Sequence, residues 1–176
     1  MAAKKLLALA VLALALVVPS SVSARGKGSV STAATLQAAL VDKVNAVRAA
    51  HGLSTLRVVT PLRSAATFHS TEMAKVGYFS HNSANGTSFA KRVAGYYTPH
   101  GYRRWAAGEN LLWASPDVGA AQALKLWMNS TPHRQNLHDP RWRDIGLSAV
   151  HSTSAPGVYG NSAATIVTAD FGARSK

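Results

Sequence analysis

The sequence predicts an α+β fold, with helices packed on a small and mostly antiparallel sheet. Two observations carry that expectation. Apolar residues recur at helical spacing in the first two-thirds of the chain, and β-rich runs close it. A third bounds it: 176 residues suit one domain, and no internal repeat divides them.

Residues 1–24 read as a signal peptide. Lys4 and Lys5 precede an apolar run from Leu6 to Val18, and the small residues Val22-Ser23-Ala24 follow Pro19. The run is shorter than the roughly 20 residues of a membrane span. The expectation is a secreted chain with no transmembrane anchor after cleavage. Residues 25–35 are small and polar and read as a flexible lead-in, and the domain proper is expected over 36–176.

Leu36, Leu40, Val44 and Val47 predict a helix over 36–50, with Thr35 as its cap and Gly52 as its stop. Thr60-Pro61 opens a second over 61–76, striped by Leu62, Ala65, Ala66, His69, Met73 and Val76 and closed by Gly77. Ser88 to Ala94 is a short helix, 95–107 a loop, and Glu109 to Trp113 a strand. Ser115-Pro116-Asp117 resembles another cap, predicting a helix over 116–129. Asp144–Val150 and Ala164–Phe171 are β-rich runs joined by a loop long enough for a hairpin.

The chain has no cysteine, which excludes disulfides, thiol chemistry and cysteine-based zinc sites. About 150 residues after the leader can bury a sufficient core without them. The net charge is +12 and stays strongly positive without Lys4 and Lys5. Such a chain is drawn to anionic surfaces, a cell envelope among them. The basic residues are scattered and not interleaved with aromatics, so no nucleic-acid partner is expected.

Only seven acids are present. Glu109 stands out because it enters an apolar strand, where a carboxylate is costly to bury without a partner. It reads equally as a strand-end residue bonded to backbone. Of seven histidines, His100, His138 and His151 lie in polar loops, and His51 sits at a helix end. His69 is on an apolar stripe, either buried against a backbone partner or lining a cavity. His81 and His133 each follow a predicted helix, beside Ser and Asn. Two imidazoles and a carboxylate can hold a divalent metal or act as acid, base and orienter. The spacing of His81 and His133 matches no local metal motif and does not show that they meet.

FSH at 79–81, GENLLWAS at 108–115 and WMNSTPHRQNL at 127–137 together resemble a CAP domain. That superfamily includes cysteine-rich secretory proteins, insect venom allergens of the antigen 5 type and plant pathogenesis-related proteins. LVDKVNAVRAAHGL, AATFHSTEMAKVGYFSH and RDIGLSAV agree, so the resemblance spans about residues 36–172. The lack of cysteine and the segment STPHRQN make it similar to the bacterial, secreted branch. The resemblance implies an α-β-α sandwich, its central sheet flanked by helices. It also implies a cleft of two histidines and two acids, which map to His81, Glu109 and His133. The second acid's place holds Ser130, so His81, Glu109 and His133 remain as a three-donor set for zinc or another divalent metal, with Ser130 and His69 as accessories. The function expected is a non-enzymatic binding module with a metal-binding cleft and a lipid- or sterol-like ligand. The alternative is a metal-assisted hydrolase, peptidase- or esterase-like.

Overall fold

The structure, a computed structural model, describes residues 28–176. The signal peptide expected over 1–24 lies outside the described residues. In chain order the elements are β1 Val30–Thr32, α1 Ala34–Ala50, β2 Arg57–Val58, α2 Thr60–Val76 and α3 Phe89–Tyr96. They continue with β3 Arg104–Ala114, α4 Ala120–Asn129, α5 Thr131–Leu137, β4 Asp144–Ala155 and β5 Ser162–Ser175.

One sheet runs in the order β1-β4-β5-β3, with β2 also against β4. All pairings are antiparallel except β2 with β4. β5 is central and β3 forms an edge. Alternation along the strands sends side chains to two faces, each with its own core. On one face, Leu40 and Val44 of α1, Ala123 and Trp127 of α4 and Leu137 of α5 meet Leu112, Leu147, Val167, Ala169 and Phe171. On the other, Met73 and Ala74 of α2 meet Leu111, Val150, Ala164 and Ile166, while Leu62 and Ala65 meet Val93 of α3. The layering is therefore α-β-α, with α1, α4 and α5 opposite α2 and α3.

Several local expectations are corrected. The lead-in of 25–35 contains β1 and the start of α1, because the edge of β4 gives Val30, Ser31 and Thr32 antiparallel partners. Thr35 does not cap α1. Ala33 holds that position, and its N–H reaches the Ala149 carbonyl at 2.9 Å. The helix expected from 116 begins at Ala120, since Ser115 Oγ donates to the Ala163 carbonyl at 2.8 Å instead of capping. β3 starts at Arg104, within the expected loop, because β5 pairs with it along its whole length. Residues 131–137, which no predicted element covers, form α5 with Pro132 in its first turn.

Glycine is required at two positions that fix α2. Gly77 ends α2 at φ 88°, in the left-handed region that side chains disfavour. Gly146 of β4 lies beneath α2, where a Cβ would sit 2.0 Å from the Leu62 carbonyl carbon. That contact sets how closely α2 lies on the sheet. Gly146→Ala must lift α2, and overpacking of this kind costs about 3 kcal/mol. Urea unfolding should show that loss, and a variant as stable as the parent would contradict the packing described.

Candidate functional site

A cleft of ≈ 320 Å³ opens at the β3 edge of the sheet. His81 lies on one side, in the loop after α2. Pro132, His133, Gln135 and Asn136 of α5 lie on the other, and Glu109 and Asn110 of β3 form the floor between them. α5 is fastened there by side-chain amides. Asn110 Nδ2 donates to the His133 carbonyl at 3.1 Å, and Asn136 Nδ2 donates to Asn110 Oδ1 at 3.0 Å. A Cβ on Gly108 would meet Asn136 Oδ1 at 2.6 Å, so glycine lets α5 come this close.

Glu109 does not present its carboxylate to the cleft. Its side chain is 0% exposed, and it points to the α2–α3 face of β3. One carboxylate oxygen accepts from His81 Nδ1 at 2.8 Å, and the other accepts from Arg92 of α3. The Arg92 side chain is 2% exposed, so this ion pair is dry. Arg92 Nη1 also donates to the His81 carbonyl at 2.9 Å and to Ser83 Oγ at 3.2 Å. One guanidinium thus ties α3, β3 and the His81 loop together.

A second network supports that loop from beneath. His69 is fully buried on α2, and its Nε2–H donates to the Ser80 carbonyl at 2.8 Å. Tyr78 donates to Glu72, which also accepts from the Ala84 N–H at 3.2 Å. His69 therefore positions the segment that carries His81 and does not line the cleft. Burial is the main reason its pKa falls below the ordinary histidine value.

His81 and His133 do meet across the cleft. Burial, then the neighbouring His81, lowers the His133 pKa, so its imidazole is neutral at pH 7. His81 gives its Nδ1–H to Glu109, which leaves Nε2 for the solvent side; its side chain is 53% exposed. Ser130, between α4 and α5, is absent from the lining and does not restore the second acid. The three-donor metal set read from the sequence does not fit: the Glu109 carboxylate is sealed and doubly bonded. Among the described residues, no group of three or more His, Cys, Asp or Glu side chains is arranged to hold a metal ion.

A model of the cysteine-rich secretory protein family, CAP, matches residues 41–171. This chain belongs to the CAP family. It is 32% identical over 136 residues to the uncharacterized protein YkwD of Bacillus subtilis, a match covering 77% of this chain and 46% of that one. It thus spans less than half of that relative. An extracellular protein of Bacillus anthracis containing an SCP domain has a similar structure, with TM-score 0.61 and 26% identity over 81% of this chain and 41% of its own. An outer surface protein of Borrelia burgdorferi shares the fold at TM-score 0.68 and 18% identity, over 84% of this chain and 99% of its own. No helix among the described residues is long and apolar enough to cross a membrane.

Two residues of this CAP site escaped the sequence reading. Arg92 shares a helix face with Phe89, three residues before it, and adjoins Val93; a cation on an apolar stripe was the available signal. Asp170 lies directly across from Glu109 in the β3–β5 register, inside an apolar run. It is fully buried, and neither carboxyl oxygen has a hydrogen-bond partner among the described residues. Burial first, then the Glu109 charge, raise its pKa well above the carboxylate range, against the opposing pull of Arg92. Glu109 and Arg92 then balance each other, and Asp170 keeps its proton to higher pH than an ordinary aspartic acid.

A raised carboxyl pKa in the folded state lowers stability as pH climbs above the unfolded value, about 4. Asp170→Asn removes that loss. Its gain over the parent should be smallest near pH 4 and grow by up to about 1.4 kcal/mol per pH unit until the folded pKa is passed. Thermal melts at pH 4 and pH 8 test this, and an equal difference at both would show that Asp170 titrates as an ordinary acid.

Proposed function

We propose that this CAP domain is a secreted, non-enzymatic binding module that holds a ligand between His81 and His133. The position of the Glu109 carboxylate carries the reading. The metal-assisted hydrolase reading takes Glu109 as its ligand or base, and this carboxylate is committed to Arg92 and His81. The other acid on the rim, Asp139, is bonded to Arg141, which lowers its pKa and keeps it a weak base. A divalent ion in this cleft would rest on the two imidazoles alone, with Glu109 orienting His81 from behind. The lining of His, Asn and Gln side chains favours a polar ligand. The lipid-like ligand implied by the resemblance therefore fits poorly in this cleft. The strongly positive net charge, which persists without Lys4 and Lys5, supports residence near an anionic cell-envelope surface.

Calorimetric titration of the purified protein with Zn²⁺ at neutral pH tests the assignment, beside His81→Ala and His133→Ala. The expected result is weak binding that either variant removes, or no binding. A tight site lost in both variants would overturn the non-enzymatic reading and restore the hydrolase.

A further inference from the structure

We propose that the cleft recognises the main chain of an extended peptide, which adds to the free edge of β3 at Glu109. The proposal rests on the cleft being a binding site and extends that reading to the class of ligand.

The first observation is the exposure of Glu109. The residue is 7% exposed while its side chain is 0% exposed. What it shows to the cleft is therefore backbone. The second is the direction of that backbone. In antiparallel pairing, alternate residues turn N–H and C=O away from the partner strand. The Ile145 and Ala149 carbonyls of β4 bond outward, to the N–H of Val59 at 3.0 Å and of Ala33 at 2.9 Å. The residues between them therefore bond β5 through Thr168 and Asp170. That leaves Ala169 and Phe171 to bond β3 at Asn110 and Gly108. Glu109 and Leu111 consequently face away from the sheet. The Leu111 carbonyl confirms the parity, since the Trp127 indole N–H donates to it at 3.1 Å from the outer side. α4 thus closes the edge at Leu111. At Glu109, among the described residues, one donor and one acceptor remain, side by side, on the cleft floor.

A main-chain donor and acceptor open to the cleft suit a partner that offers both. An extended peptide residue offers both at the matching spacing, as in strand addition to an open sheet edge. Charge agrees with this occupant. Arg92 pairs with Glu109 and Arg141 with Asp139, so neither carboxylate is left free to select a cationic ligand. Gln135 of α5 lines the same space and can meet a second peptide group.

The test is an amide NMR titration of ¹⁵N-labelled purified protein in metal-free buffer. One probe is a pool of N-acetylated, C-amidated pentapeptides with all positions degenerate. The other is the same pool N-methylated at alternate residues, which deletes donors and blocks strand pairing. The expected result is a saturable shift of the Glu109 amide with the plain pool, and binding weakened about fivefold or more with the methylated pool, the loss of a main-chain hydrogen bond. No shift at Glu109 with either pool, or equal shifts with both, would overturn the proposal. Because metal is excluded, the result is independent of the zinc titration. Tight zinc binding with no peptide shift would sink both readings, whereas a peptide shift with tight zinc binding would sink only the non-enzymatic one.

Discussion

The site depends on one buried ion pair. Arg92 and Glu109 lie opposite each other with side chains 2% and 0% exposed, between a short helix and an edge strand. Removing two charges from water is costly, and mutual attraction offsets it only when the remaining donors and acceptors are also satisfied. Here most are: the second carboxylate oxygen takes His81, and the guanidinium also holds the His81 carbonyl and Ser83. The loop between α2 and α3 gains its conformation from this pair. Loss of either partner would leave the other charged and buried, so each holds the other in place within the folded state. Asp170, directly behind Glu109, fits the same scheme by keeping its proton to higher pH.

The inward turn of Glu109 changes what the cleft is. A carboxylate pointing outward would make an electrostatic site able to hold a cation or activate water. With the carboxylate inward, the residue contributes backbone to the floor, and the walls are imidazole and amide. Ser130 in the place of a second acid is consistent with that balance. The acid missing there is not needed to neutralise anything in the cleft, because Arg92 already meets Glu109. The site works through geometry and hydrogen bonding more than through charge.

Much of this was legible from residue patterns, and the failures have physical reasons. α2 was placed within a residue because Pro61 and Gly77 are strong stops on backbone geometry. β4 and β5 were placed by their β-branched and alternating residues, although both run longer than the pattern. β3 was cut short because its first residues are stabilised by pairing with β5, a contact far away in sequence. α5 was missed because seven residues are too few to show a helical period. The convergence of His81 and His133 came from family resemblance, since their loop and helix are brought together by amide bonds among Asn110, Asn136 and the His133 backbone. The direction of the Glu109 side chain was beyond local pattern altogether: it follows from strand parity, and parity is set across four strands.

Separating the cleft from a basic exterior bears on how the proposed ligand would be reached. Among the described residues most arginines and lysines are exposed, while Arg92, beside the cleft floor, is neutralised internally by Glu109. Attraction to an anionic surface acts over about 8 Å at physiological ionic strength and weakens with salt. The main-chain pairing proposed at Glu109 would act only at contact and would be far less sensitive to salt. On that proposal, residence at a surface and selection of a ligand are independent properties. The first depends on how many cations the outside carries, and the second on keeping one glutamate turned inward.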